Sequence, residues 1–331
     1  MPEVSVLLAA TLILILAAEF VNGWTDAPNA IATVVSTRVL SPGKAVVMAA
    51  VLNIVGALST GTAVAATIGE GIVKPESISL PVVAAAMLTI LVWSGVTWFY
   101  AIPSSKSHEL IAGLTGAGLA AAGPSALLSV GWGQVLEGLG VSTIIGFVFG
   151  FFIMTILYWL LRKTALESIR GHFSRLQIIS SAFMAFSHGS NDGQKFMGVF
   201  ALALVLGGAM TEFSVPWWIM LTCGSIMGLG TIIGGWRIMR TLGFRLTRLE
   251  PVNGFAAETA GSYAILLASH FGIPLSTTHC ITTSIMGVGA SRRFSAVRWG
   301  MAKNIVLTWI ITFPVCGVLG YLFSWLLRMI L

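Results

Sequence analysis

The chain has 331 residues, of which 56% are hydrophobic and only 9% charged, against about 25% charged in an ordinary soluble domain. With a mean hydropathy of +0.92, this composition excludes water as the main solvent and predicts an all-α polytopic membrane protein. The formal charge of +6 does not mark a nucleic-acid binder, because the basic residues lie between apolar runs and not on one soluble module.

Apolar runs suited to helices in a hydrocarbon core roughly 30 Å thick recur along the whole length. In chain order they fall near 4–21, 45–68, 81–102, 107–122, 135–161, 178–187, 196–211, 216–236, 255–271, 279–290 and 299–331. The first begins at Val4 behind Glu3 with no basic stretch before it, so it reads as a membrane helix and not as a secretory signal. The polar connectors 36–44, 69–80, 123–134, 162–177, 212–215, 237–254 and 291–298 are each too short for a soluble domain. The 37 glycines suit close packing and breaking of membrane helices. Cys223, Cys280 and Cys316 lie far apart without metal-ligand spacing, so no redox or zinc role is expected.

Two motifs recur across the halves of the chain. F-V-N-G-W-T-D-A-P-N at 20–29 matches F-S-H-G-S-N-D-G-Q-K at 186–195 through Phe20/Phe186, Gly23/Gly189 and Asp26/Asp192. I-P-S-S-K-S-H at 102–108 matches I-P-L-S-T-T-H at 273–279 through Pro103/Pro274, Ser105/Ser276 and His108/His279. The offsets, 166 (20 to 186) and 171 (103 to 274), are nearly equal, which predicts an internal duplication. Its units are 1–161 and 178–331, with 162–177 as a cytoplasmic connector.

Placing 36–44, 162–177, 237–254 and 291–303 in the cytoplasm collects all but four of the 18 Lys and Arg, the exceptions being Lys74, Lys106, Lys195 and Arg328. Connector 212–215, the counterpart of 36–44, then lies outside, so the halves are inverted. The runs 81–102 with 107–122, and 255–271 with 279–290, become re-entrant helical hairpins, which are tolerated where they line a cavity. Inverted-topology repeats with broken helices are a recurring transporter architecture.

Asp26 and Asp192 sit in apolar surroundings, where a carboxylate costs roughly 2.5–3.5 kcal/mol unless compensated. Pro28, Gly23, Gly189 and Gly193 suggest helix breaks beside them, freeing carbonyls. With the amides of Asn22, Asn29 and Asn191 these acids form an expected oxygen site for a hard cation. The alternative is that each acid caps a helix or pairs with a base. Glu258 in A-A-E-T-A-G is expected to serve a cation or a gate, and is aligned with Asn53 of the first half. Glu19 and His188 are weaker candidates.

The second motif pair puts proline before a run of hydroxyls and then an apolar helix. Unbonded N–H groups and the positive dipole end of such a helix favour an oxyanion. Ser104, Ser105, Ser107, Ser276, Thr277 and Thr278 add donors, and two such N-termini converging from opposite sides would surround a tetrahedral anion. Ordinary capping explains one hydroxyl per helix, but not three in succession twice. Lys106 either approaches the anion or pairs with Glu109, and Gln194 and Lys195 pose the same question in the other motif. His108 and His279 are expected to hydrogen-bond locally, with a proton role open.

N-G-W-T-D-A-P-N-A-I-A-T-V-V-S-T-R at 22–38, H-G-S-N-D-G at 188–193, A-A-E-T-A at 256–260 and P-L-S-T-T-H-C at 274–280 together resemble the inorganic phosphate transporter family, the PiT type of phosphate symporter. The resemblance implies inverted repeats, inorganic phosphate as substrate, and sodium or a proton as the coupled ion, with sodium a co-transported ligand and no cofactor. By position, Asp26 and Asp192 match the motif acids, Ser105 and Ser276 the hydroxyls of the second motif, and Glu258 the acid of the second repeat. Gln194 joins the six hydroxyls as an expected phosphate ligand. Asn53, where some relatives carry a second Glu, and Lys106, where Ser or Thr is usual, depart from the family pattern. The missing hydrophilic central loop fits a prokaryotic minimal form in the inner (plasma) membrane, with a homodimer open. Competing readings are a proton-coupled phosphate or sulfate permease, a passive anion channel, and an intramembrane enzyme acting on phospholipid. The enzyme is disfavoured because Ser107/His108 and Thr278/His279, adjacent in sequence, fall on different helix faces.

Overall fold

The computed structural model describes residues 5–74 and 77–330, so Glu3, Val4, Leu331 and the middle of connector 69–80 lie outside the described residues. Its first half runs α1 (Val6–Ser36), α2 (Pro42–Ser59), α3 (Ala63–Glu70), α4 (Leu80–Phe99), α5 (Lys106–Ala122) and α6 (Ser129–Leu161). The second runs α7 (Leu166–His188), a π-helical turn (Gly189–Gly193), α8 (Gln194–Leu206), α9 (Trp217–Ile233), α10 (Trp236–Arg240) with a further π turn (Thr241–Arg245), α11 (Pro251–His270), α12 (Thr277–Arg292) and α13 (Trp299–Ile330). Five of these helices are long and apolar enough to cross a membrane, or six counting the bent pair α9 and α10.

Local chemistry explains the helix ends. Ser5 caps α1 by accepting from the Leu8 N–H, and proline occupies the first turn of α2, α4 and α11, where its missing N–H costs nothing. The run 45–68 is not one helix: Gly61 turns the chain with φ +81° between α2 and α3. Nor does Pro28 break α1, which passes through it without interruption. Proline inside a membrane helix survives when the carbonyl it leaves unbonded is packed or satisfied, and here the Trp24 carbonyl is packed against Gly235. The large bend falls instead at Gly234–Gly235, where α9 and α10 meet at 61° and Gly234 adopts φ +67°. The connector 162–177 is mostly the exposed first half of α7.

The two halves correspond helix by helix, with α1 standing against α7–α8, α2 against α9, α4 against α11, α5 against α12 and α6 against α13. Their packing is exchanged in the same sense. Gly56 of α2 lies on the Phe186 carbonyl of α7 while Gly230 of α9 lies on the Phe20 carbonyl of α1, and Phe20 and Phe186 are repeat partners. Likewise α5 packs along α13, and α12 along α6.

Contacts between connectors define two ends of the molecule. At one, segments 36–38, 158–170, 243–253 and 288–298 share adjoining cavities lined by arginines. At the other, Lys74 N–H bonds the Ala126 carbonyl (2.8 Å), Leu128 N–H bonds the Ile72 carbonyl (3.1 Å), and Arg328 donates to the Ala120 carbonyl (2.8 Å). The hairpin α4–α5 starts and finishes at this second end, whereas α11–α12 starts and finishes at the arginine end. Their tips, 100–105 and 271–276, meet between the ends: Ser107 donates to the Leu275 carbonyl (3.0 Å) and Thr278 to the Ser104 carbonyl (3.2 Å).

Because Gly56 and Gly230 sit where a Cβ would strike backbone, Gly56→Ala is expected to destabilise the protein by about 1–3 kcal/mol through overpacking. Gly171→Ala, where nothing lies within 4 Å, is expected not to. Melting temperatures of the two variants in detergent, compared with the parent, check this.

Candidate functional site

A polar layer separates two apolar clusters. One holds Ile15 and Ala18 of α1 with Phe196 and Val199 of α8; the other holds Ala30 and Ile31 of α1 with Met184 and Ala185 of α7. Between them α1 carries Glu19, Asn22, Asp26 and Asn29, the π turn carries Asn191 and Asp192, and the two hairpin tips arrive from opposite ends. All of these side chains are buried.

Asp26 accepts from Asn29 (3.1 Å) and from Thr278 of the second tip (3.1 Å), with Lys106 Nζ of the first tip 3.7 Å from Oδ1. Asp192 accepts from Thr277 (2.8 Å), has His188 Nε2 at 3.1 Å, and is bonded by Lys195. Lys195 also donates to the Leu275 carbonyl (2.8 Å), and Lys106 to Glu109 (2.9 Å). Lysine is thus allotted one per aspartate from complementary positions. The 166 offset places Lys195 opposite Asn29, and the 171 offset places Lys106 opposite Thr277. Opposite charges about 4 Å apart at an effective dielectric near 20 attract by roughly 4 kcal/mol, comparable to the cost of burying either one. Asp26, His188 and Asp192 offer ligand atoms within 4.8 Å of one another, a group able to hold a cation.

All six expected hydroxyls come together at the tips. Ser105 and Ser276 cap α5 and α12, accepting from the N–H of His108 (3.4 Å) and His279 (3.2 Å). Ser104 bonds Glu109 (2.6 Å) and meets Thr97 (2.9 Å). Just behind, the His108 and His279 rings touch edge to face at 4.5 Å, and His279 stacks on Trp309 at 3.6 Å. Two helix N-termini with their hydroxyls therefore meet directly, beside two aspartates and two lysines.

Four expected residues bond to partners other than the two aspartates. Gln194 is turned to the start of α3: its Oε1 accepts from Val64 N–H (3.0 Å) and its Nε2 donates to the Ser190 carbonyl (2.7 Å). Asn22 donates to Glu19 Oε2 (3.0 Å) and is not bonded to Asp26; Glu19 Oε1 and Asn22 Oδ1 are buried without partners. Glu258 lies toward the arginine end, bonded by Thr33 and Ser180, with Gln177 Nε2 at 3.4 Å. Thr33 is seven residues beyond Asp26, roughly 10 Å along the helix, so Glu258 forms a separate polar cluster. Asn191 bonds Ser269 (2.9 Å) and leaves Oδ1 unpartnered.

The alignment of Glu258 with Asn53 is corrected by the fold. Glu258 is on α11, whose counterpart is α4, and the 171 offset falls on buried Met87. Asn53, on α2, instead meets His188 Nδ1 (3.1 Å) and donates to Thr231 (3.0 Å), turning the imidazole toward Asp192. Thr33, Gln177 and Ser180 carried no individual signal in the sequence, whereas Asn53 stood out as a departure from the family pattern. Glu19 carried a stronger signal, a charge inside the first membrane helix.

The profile of the Phosphate transporter family matches residues 22–320. A Bacillus subtilis protein described as a "Probable low-affinity inorganic phosphate transporter" is 42% identical, with 98% of this chain and 99% of that one covered. One of the same description from Rhizobium meliloti is 45% identical over 92% of this chain and 91% of that one. Among solved structures, "The sodium-dependent phosphate transporter" superposes with a TM-score of 0.87 at 24% identity, covering 99% of this chain and all of that one; at this identity it establishes the fold.

Since Lys106 stands between Asp26 and Glu109, Lys106→Met is expected to cost about 3–5 kcal/mol by leaving buried carboxylate unpaired. Lys106→Met with Glu109→Gln is expected to recover part of that loss. Denaturation of both variants in the same detergent measures it.

Proposed function

The chain belongs to the phosphate transporter family, and on that premise we propose that it is a secondary symporter importing inorganic phosphate down a cation gradient by alternating access. Phosphate transport through a multi-pass membrane protein follows from the family, whose members are permeases and not enzymes. The observation that carries the finer reading is the meeting of two hairpin tips, entered from opposite ends, over Asp26 and Asp192. Ser104, Ser105, Ser107, Ser276, Thr277 and Thr278, with the N–H groups of the first turns of α5 and α12, supply donors to the phosphate. Lys106 and Lys195 balance its charge.

Sodium is the coupled ion in this reading. An ionised carboxylate beside a multiply charged oxyanion repels it, and a cation held by Asp26, Asp192 and Asn29 removes that conflict. Linkage then makes sodium raise phosphate affinity and phosphate raise sodium affinity by one factor. The name of the solved relative agrees. Glu258, with Thr33, Gln177 and Ser180, offers a second oxygen cluster on the path to the arginine end. A proton as coupled ion is the second reading, favoured by the two lysines that already stand beside the aspartates.

The opposite senses of the two hairpins support inverted repeats in the bilayer, with the arginine end cytoplasmic and the protein in the plasma membrane. In alternating access the two halves rock about the meeting tips, exposing the anion first to one end and then to the other.

Uptake of labelled phosphate into proteoliposomes is expected to require an inward sodium gradient and to resist competition by sulfate. Asp26→Asn and Asp192→Asn should weaken sodium dependence more than phosphate recognition at saturating sodium. Normal sodium-driven accumulation in both variants refutes the cation assignment, and uptake driven by a proton gradient alone transfers the role to protons. Ser105→Ala and Ser276→Ala are expected to lower phosphate affinity about tenfold or more, the loss of one donor to a charged partner. A cysteine placed at 162–177 should resist labelling by an impermeant reagent added outside intact cells.

A further inference from the structure

At the arginine end two cavities adjoin. The larger, about 510 Å³, is lined by Arg38, Arg248 and Arg298; the smaller, about 300 Å³, by Arg248, Arg292, Arg293 and Arg298. Arg248 and Arg298, together with Thr247, belong to both. No carboxylate lines either cavity among the described residues, and Glu250 nearby is turned to Arg170 at 3.7 Å.

An excess of basic residues at one membrane face requires only their presence there, and Lys44, Lys163 and Arg175 satisfy it from exposed positions outside these cavities. Five exposed arginines lining two adjoining cavities, with no carboxylate among the lining residues, are a different matter, since they concentrate positive field where an anion is attracted.

The backbone holds them in place. Arg298 N–H bonds the Leu246 carbonyl (3.0 Å) and Thr247 Oγ1 bonds the Ala296 carbonyl (3.1 Å), so the two segments bearing the shared arginines form one seam. Arg38 closes α1 in the left-handed region, φ 62°, with its N–H on the Val35 carbonyl (3.1 Å). That conformation favours glycine or asparagine, yet here it presents an arginine to the larger cavity.

We propose that these joined cavities bind an anion carrying two or more phosphoryl groups, separate from the transported phosphate. Guanidinium groups take phosphoryl oxygens in pairs. One phosphoryl group sits in each cavity, and the linked ligand spans Arg248 and Arg298. Occupancy ties the segment after α10 to the segment between α12 and α13. A soluble oligophosphate and the phosphate headgroups of an anionic lipid share this chemistry.

The test uses the full chain in nanodiscs of phosphatidylcholine alone, titrated calorimetrically with inorganic triphosphate at near-physiological salt. Saturable binding is expected, weakened at least tenfold in Arg248→Gln/Arg298→Gln and unchanged in Lys44→Gln/Lys163→Gln, which removes the same charge elsewhere on that end. Orthophosphate binding in each variant verifies that the fold is intact. Absence of saturable triphosphate binding, or equal weakening by both double variants, overturns the proposal. Repeating the titration in nanodiscs containing phosphatidylglycerol separates the sources. Triphosphate binding that persists identifies a soluble ligand, and binding that is displaced identifies the lipid headgroup.

Discussion

Five buried charged side chains, Asp26, Glu109, Asp192, Lys106 and Lys195, govern the centre of the molecule. Each alone is intolerable in an apolar interior, and each is made tolerable by a partner from the same layer. Lys195 reaches Asp192 along its own helical turn, whereas Lys106 reaches Asp26 only because a hairpin tip is delivered to α1. The contact between hairpin and helix is thus an electrostatic requirement as well as a packing one. His188, whose Nδ1 meets the Asn53 side-chain oxygen, brings its Nε2 to 3.1 Å from Asp192.

Close helix crossings make this layer possible. Gly56 and Gly230 let α2 and α9 lie directly on the backbones of α7 and α1, so the motif-bearing helices of the two halves are each clasped by a helix of the other. The tips then arrive from opposite ends, and hydroxyls that would be ordinary caps on separate helices become neighbours. The arginine cavities lie at one end of the molecule, where segments from both halves meet.

Membrane class was legible in the sequence, as were the polar residues that meet at the hairpin tips, for physical reasons. Transfer free energy sorts apolar runs from connectors, and a repeated polar motif inside apolar sequence is costly enough to need a use. Asp26, Asp192 and the six hydroxyls stood out on those grounds, as did the sorting of basic residues to one end. Helix continuity was not legible. Pro28 carries a local preference against helix that packing overrides, while the bend at Gly234–Gly235 depends on what lies beside it.

Partnership was decided only in three dimensions. Asn53 was matched to Glu258 by resemblance of short strings, but helix order sets Glu258 against Met87 and gives Asn53 to His188. Gln194 stood within a motif and yet serves α3, because a helix start 130 residues away in sequence needed an acceptor. Composition and pattern determine which residues must be compensated, since burial cost is a property of each side chain. Which group compensates which is a property of distance, and residues such as Lys106 and Asp26, or Glu258 and Ser180, become close only when the helices have packed.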